Sequence, residues 1–371
     1  MRELVFVLEQ TLGHVAHARN IKRALAQHSG SIHSTVIPIE YRASPGFAAH
    51  IPGLRTWSFE ASRQARTALV RRMREGDVAA VFIHTQVAAL LAGSLMRQVP
   101  TVVSLDATPR NFDAQGLSYG HSRNGRAVEA IKLRLNQSVF RRAAALVSWC
   151  QWAADSLVAD YGVPEDKISV IHPGVDVNLF RPEDAGDGPV RILFVGGDFD
   201  RKGGLDLLQA MKRLGSQAEL DVVTGARVEI PPGIVCRVHR GLGPQSPEIV
   251  RLYRSADIFA LPSRGDCFPQ AVAEGLASGL PIVASHVGAI PEMVRDGLNG
   301  YLVPAGDPRA LSIALESLAR SQSRRREMGA LSRRIAEQEH DADANNGRII
   351  ELLLQVGGKA AAAAPVAAAA S

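Results

Sequence analysis

Short apolar runs alternate with helix-like sequence along most of this chain, and that rhythm admits few architectures. In the first half, LVFVLE (4–9), VAAVFIH (78–84), VPTVVSLD (99–106) and AALVSW (144–149) are runs of strand length that end in or near polar residues. Helical sequence separates them, as at Ala16–Gln27. Apolar strands spaced by helices predict a parallel sheet covered on both faces. The pattern restarts at VRILFVGG (190–197) and continues through a helix at 204–214, AELDVVTG (218–225), IVCRVH (234–239), IVRLYRSA (249–256), DIFALPS (257–263) and PIVASH (281–286). The expected class is α/β, as two doubly wound domains with a cleft between them. The first is expected at 1–182 and the second at 183–344, joined by the acidic, glycine-containing EDAGDGP (183–189). Helical sequence at 308–340 closes the second domain, and 345–356 is expected to cross back to the first. The Ala-rich stretch 357–371 reads as a disordered tail.

Composition narrows the functional classes. With 46% hydrophobic and 21% charged residues, the chain of 371 residues reads as a soluble globular protein. No window approaches the roughly 18 apolar residues of a spanning helix, and MRELVFVLEQ reads as a first strand rather than a leader. A cytoplasmic location is expected. Cys150, Cys236 and Cys267 are far apart and odd in number, which argues against a disulfide framework or metal cluster. Residues 1–180 hold 20 Lys and Arg against 14 Asp and Glu, whereas 181–371 hold 22 against 23. The excess of positive charge therefore lies in the first half, where it suits either a solvated surface or an anionic partner. No GxGxxG follows the first strand, so a dinucleotide oxidoreductase is poorly supported. Nucleic acid is not an expected partner.

Two stretches of the second half carry chemistry. FVGGDFDRKGGLDLLQAM (194–211) reads as strand, glycine-rich turn, Arg201–Lys202 and helix. Glycines permit close backbone approach, the helix N-terminus offers free N–H groups, and two cations supply charge, a combination suited to a diphosphate. A solvated turn with incidental cations is the competing reading. Further on, LPSRGDCFPQAVAEGLASGLPIVASHVGAIPEMVRDGLNGYLVPAGD (261–307) places Asp266 just before a helix expected to start near Pro269, with Glu274 inside it and Gly279 at its end. A strand, a loop and a short hairpin-like segment follow. Taken singly, Asp266 reads as a cap and Glu274 as a surface glutamate.

Together, FVGGDFDRKGG, LYRSADIFALPS, DCFPQAVAE, GLASGLPIVAS and GAIPEMVRDGLNGYLVPAGD resemble, in order, the nucleotide-sugar-binding half of the family 4 retaining glycosyltransferases (glycosyl transferases group 1). Upstream, VSWCQWAADSLVADYGVPEDKISVIHPGVDVNLFRP resembles that family's interdomain segment, so the resemblance runs over about 144–307. It implies the GT-B fold, two facing Rossmann-like domains with an interdomain cleft. It further implies a donor that is a nucleotide-diphosphate sugar and an acceptor hydroxyl on a sugar, a lipid-linked sugar or a small molecule. Arg201 and Lys202 would hold the diphosphate and stabilise the leaving nucleotide. Asp266 would contact the transferred sugar, and Glu274 the ribose hydroxyls. Backbone amides around Phe268 and Gln270, Ala271 and Val272 would bind phosphate or sugar. The sequence departs from the family where Asp266 replaces the usual Glu, where Cys267 and Pro269 replace glycines, and where Gly197 replaces an arginine. Asp198 and Asp200 have the spacing that metal-dependent enzymes use, yet the two cations that follow can neutralise phosphate, so neither metal nor cofactor is expected.

The first half is less transparent. EQTLGHVAHARN (9–20) has Thr11 and Gly13 at the first strand-to-helix loop, where relatives carry Gly-Gly, so Gly13 can still admit donor phosphate or sugar. Thr11, His14 and Asp106 are acceptor candidates, each with a helix, cap or turn role as the alternative. Relatives have a His-Asp pair at 105–106, here Leu105–Asp106. His84, Trp149, Trp152 and His172 read as structural. The cations at Arg63, Arg66, Arg71, Arg72 and Arg74, and at Arg123, Arg126, Lys132, Arg134, Arg141 and Arg142, have helical spacing. They are compatible with peripheral contact with an anionic membrane or with plain solvated faces. A sugar-nucleotide epimerase and a non-catalytic nucleotide-sugar binder are the alternative functions.

Overall fold

The computed structural model describes residues 2–11, 13–40, 57–120, 125–183 and 188–363. The chain divides into two compact units. One comprises Met1–Thr108, Asn124–Ile171 and Asn346–Ser371, the other Pro109–Arg123 and His172–Asn345.

In the first unit β1 (Glu3–Glu9), α1 (His14–Gln27), β2 (Ser34–Ile39), α2 (Trp57–Glu75), β3 (Val78–His84), α3 (Gln86–Ala89) and β4 (Thr101–Leu105) follow one another. The chain then passes to the other unit for α4 (Pro109–Ala114) and a single 3-10 turn at Gly116–Tyr119. It re-enters the first through α5 (Arg126–Arg142), β5 (Ala145–Ser148), α6 (Gln151–Tyr161) and β6 (Ile168–Val170). The strands form one sheet in the order β2-β1-β3-β4-β5-β6, every pair parallel. Side chains alternate between its faces. Val5 and Val7 of β1 join Val81 and Ile83 of β3 against α2, α3, α5 and α6. Leu4, Phe6, Leu8 and Phe82 point the other way, against Ile21 and Leu25 of α1 and Ile349, Ile350 and Leu353 near the C-terminus. Each side chain so buried contributes roughly 1.5–3 kcal/mol. β2 has no counterpart in the sequence reading, since its sequence STVIPI carries a proline. It forms because it is an edge strand, where a missing N–H costs little.

The second unit contains β7 (Val190–Val195), α7 (Gly204–Leu214), β8 (Ala218–Val223), β9 (Cys236–His239), α8 (Pro247–Ser255), β10 (Ile258–Leu261), α9 (Gln270–Ala277), β11 (Ile282–Ser285), α10 (Ile290–Met293), β12 (Gly300–Val303), α11 (Pro308–Ala319) and α12 (Gln322–Glu339). A last helix, α13 (Ala342–Ala363), begins here and contributes its later residues to the first unit. The sheet order is β12-β11-β10-β7-β8-β9, again all parallel, which is the doubly wound Rossmann order. The segment expected to be hairpin-like is instead β12, paired parallel to β11 from Ile282↔Gly300 to Ser285↔Val303. A crossover through α10 returns the chain to the starting end of β11, so that β12 runs parallel to it, which a hairpin cannot do.

Residues 184–187 of the expected linker lie outside the described residues, as do 364–371 of the expected tail. The stretch 357–363, expected to be disordered, continues α13 as helix. Among the described residues no helix is long and apolar enough to cross a membrane.

Candidate active site

In a doubly wound sheet, ligands gather at the carboxyl ends of the strands where the order reverses. In the second unit that point lies between β7 and β10, which are neighbours in the sheet but not in the chain. The turn after β7 and the loop after β10 meet there. Gly203, with φ +78°, makes their approach possible, because a Cβ on it would stand 1.9 Å from the Pro262 carbonyl oxygen. Arg264 then donates its backbone N–H to the Arg201 carbonyl oxygen at 2.8 Å.

This juxtaposition brings together Arg201, Lys202 and Asp266. The Arg201 guanidinium donates to Asp198 through Nε at 3.0 Å and to the Gly265 carbonyl oxygen through Nη1 at 2.9 Å. The Lys202 ammonium donates to Asp266 Oδ2 in a short, mostly buried ion pair. Ser263 Oγ donates to the same oxygen at 3.2 Å. Ser263 was not singled out in the sequence, although its place directly after a strand end was a usable signal. Asp198 is engaged with Arg201 at 3.0 Å. Among the described residues, no cluster of three or more His, Cys, Asp or Glu has metal-binding geometry.

The helix α9 starts at Gln270 with Pro269 at its N-cap, and Gly279 follows its last turn at φ +71°. Phe268 is buried and stacks on His172 with centroids 5.7 Å apart. Of the amides expected to face a ligand, that of Val272 is engaged by the Pro269 carbonyl oxygen at 3.0 Å. The Ala271 carbonyl oxygen accepts from the Tyr253 hydroxyl at 3.1 Å. The Gln270 side-chain nitrogen Nε2 is buried and meets no hydrogen-bonding partner among the described residues. Glu274 is buried rather than a surface glutamate. Burial pushes its carboxyl up to about 7, against the opposing effect of a hydrogen bond from Tyr253. A carboxyl buried at this cost marks a place where a polar ligand can be received.

A second polar cluster forms in the first unit, at the reversal between β1 and β3. Glu9, the last residue of β1, accepts from Thr11 Oγ1 at 2.8 Å and from Thr85 Oγ1 at 3.0 Å. His14 lies 3.7 Å from Glu9 and 3.6 Å from Asp106. Burial opposes the charge on His14, but the hydrogen bond to Asp106 and the charges of Glu9 and Asp106 prevail and raise its pKa to about 8. His14 Nδ1 is 2.7 Å from His84 Nε2. Burial, and then the His14 charge, depresses His84 well below its ordinary value and His17 to about 3, so the positive charge of the cluster falls on His14. Trp149 stacks on the His84 ring at 4.9 Å and 6°. The His-Asp pair that Leu105 denies to consecutive positions is thus assembled by His14 and Asp106 from two elements. Gly13 stands in this unit as the N-cap of α1, and the rest of the expected donor set belongs to the second unit.

Comparison with known proteins agrees with this layout. Residues 12–179 match the family model described as Glycosyltransferase Family 4, and residues 189–321 the model described as Glycosyl transferases group 1. The chain belongs to this glycosyltransferase family. A D-inositol 3-phosphate glycosyltransferase of Catenulispora acidiphila is 29% identical over 209 residues, which cover 49% of this chain and 50% of that protein. An MMP alpha-(1->4)-mannosyltransferase of Mycolicibacterium hassiacum is 32% identical over 217 residues, 55% of this chain and 52% of that one. The chain spans about half the length of the curated relatives it matches. Among solved structures, a sucrose-phosphate synthase of Thermosynechococcus elongatus superposes with a TM-score of 0.76 at 16% identity, covering 97% of this chain and 100% of that one. Anabaena HepE in complex with UDP-glucose gives 0.68 at 18% identity, covering 96% of this chain and 100% of that one. The fold is GT-B, as the resemblance implied.

Proposed function

We propose that this chain is a retaining glycosyltransferase that moves a sugar from a nucleotide-diphosphate donor to an acceptor hydroxyl. The observation that carries the reading is the Arg201, Lys202 and Asp266 cluster at the β7/β10 reversal, with buried Glu274 on the helix that follows. A diphosphate brings negative charge that competes with Asp266 for the Lys202 ammonium. Once released, the Asp266 carboxylate can accept from a sugar hydroxyl. Arg201 and Lys202 then meet the charge that develops on the departing phosphate. Glu274 accepts from the ribose hydroxyls in its ionised form. No enzymic nucleophile is required if the acceptor attacks the face from which the phosphate leaves. The names of the relatives and the UDP-glucose complex of HepE support a nucleotide-sugar donor. Thr11, His14 and Asp106 are the acceptor side of the proposal. Phosphate charge is met by the two cations, with no metal or cofactor.

The test is turnover with UDP-, GDP- and ADP-sugars, with and without a panel of hydroxyl acceptors. Lys202→Ala and Glu274→Ala are expected to remain folded and to lose at least about 100-fold in turnover. Normal turnover in both variants sinks the assignment, and donor conversion without any acceptor points to an epimerase instead.

A peripheral contact with an anionic membrane belongs to the same proposal. On α5, Val128, Ile131 and Leu135 are exposed at i, i+3 and i+7, with Lys132 and Arg142 at neighbouring positions of the helix surface. The α2 cations favour it less, because Arg63, Arg71 and Arg72 pair with Glu60, Glu75 and Glu3. Arg123 lies outside the described residues. Co-sedimentation with phosphatidylglycerol vesicles, lost on Ile131→Glu, checks it.

A further inference from the structure

Residues 109–120 come from the middle of the first half of the sequence, yet they pack in the second unit against the residues proposed to hold the donor. Several contacts fasten them. The Tyr119 ring lies under the Arg201 guanidinium, whose central carbon is 4.4 Å from the ring centroid. Gln115 Oε1 accepts from the Asp266 backbone N–H at 2.7 Å. Ser118 Oγ donates to the Arg264 carbonyl oxygen at 2.8 Å. Tyr119 is itself wedged between the Phe112 ring at 4.5 Å and Cys267 Sγ, 3.9 Å from its hydroxyl. Burial, then the neighbouring Cys267 and Asp266, raises its pKa well above the ordinary value, so the phenol stays neutral and its ring is a lasting seat for a cation.

The receiving surface is shaped for this segment. A Cβ on Gly265 would stand 2.6 Å from Ser118 Cβ, a distance that real side chains do not tolerate. Gly265 has no positive φ to demand glycine, so the close approach of Ser118 is what its small size serves. The residue between Arg264 and Asp266 is therefore matched to the segment that covers it.

We propose that Tyr119 and Gln115 are positioning residues of the donor site: Tyr119 holds the Arg201 guanidinium toward the diphosphate, and Gln115 holds the Asp266 backbone so that its carboxylate meets Lys202. The proposal rests on the donor reading above. Arg201 is tied at Nε and at Nη1, on two different sides of the fork, and the ring beneath it prevents the plane from tilting. Its remaining N–H groups are thereby aimed before a ligand arrives, which lowers the ordering cost of binding. The chain that supplies these residues also carries Asp106, at the end of β4, so one connection serves both polar clusters.

Calorimetric titration with UDP, GDP and ADP, and with the nucleoside matching whichever binds, tests it. Tyr119→Leu is expected to weaken the diphosphate about tenfold and to leave the nucleoside unchanged, because the nucleoside presents nothing to Arg201. Tyr119→Phe keeps the ring and is expected to bind as the parent does. Gly265→Ala, which displaces Ser118 without altering Tyr119, is expected to reproduce the loss. Unchanged or tighter diphosphate binding by Tyr119→Leu overturns the inference, as does equal weakening of diphosphate and nucleoside. Failure of the parent protein to bind any of the three diphosphates overturns the donor reading itself.

Discussion

The buried carboxyl of Glu274 and the half-buried imidazole of His14 both hold a proton more tightly in the folded chain than in the unfolded one. Glu274 has its pKa raised from 4.5 to about 7, so the folded chain keeps a proton that the unfolded chain releases between those values. Stability is therefore lost as pH rises through that window. Glu274→Gln, neutral throughout, is expected to melt above the parent near pH 8 by up to about 3 kcal/mol, and to show no advantage near pH 4. His14 has its pKa raised from 6.5 to about 8 by its two carboxylate neighbours. Its contribution is fully present below the lower value and lost as pH passes the upper one. His14→Gln is expected to cost about 2 kcal/mol near pH 6 and little above about pH 9. Melting curves across pH check both signs. These residues differ in how they could be read from sequence. Arg201, Lys202, Asp266 and Glu274 stand in segments whose order matches a family, whereas Tyr119 and Gln115 have no motif. Gln115 meets a partner 151 positions away, and no local pattern reports such a contact.

Among the elements, the turn between β7 and α7 is the one on which the site depends. It must fold tightly after the strand, present two cations and pass within contact of the loop after β10. Gly203→Ala is expected to destabilise by at least about 2 kcal/mol, because the new methyl meets the Pro262 carbonyl and the left-handed backbone disfavours it. Chemical denaturation measures the loss, and Arg201 and Lys202 are expected to lose diphosphate affinity with it. Elements with strong periodicity matched their expected spans closely: β3 falls at Val78–His84 and α7 at Gly204–Leu214. Pro38 masks β2, and β12 reads as part of a hairpin because a four-residue strand has no periodicity of its own. Its direction is set by hydrogen bonding to β11, a partner that its local sequence does not name.

For the whole molecule, a ligand that binds only the folded state must raise its stability. A nucleotide diphosphate or its sugar held at about 100 times its dissociation constant is expected to add about 2.7 kcal/mol. A thermal-shift screen of nucleotides checks this and selects the base. The alternation of apolar strands and helices determined by itself that there would be two parallel sheets, because strands buried on both faces need a helix between each consecutive pair. Ordered motifs determined the family and picked out Arg201, Lys202, Asp266 and Glu274 as candidate site residues, since these lie within short segments of chain. Tertiary structure alone decided that Asp266 is paired with Lys202, that Glu274 is buried with its pKa raised, and that His14 completes a pair with Asp106. It also decided that 109–120 serve the second unit. Each of these depends on which strand ends lie side by side and on how far water is excluded there, and neither is a property of any local stretch of sequence.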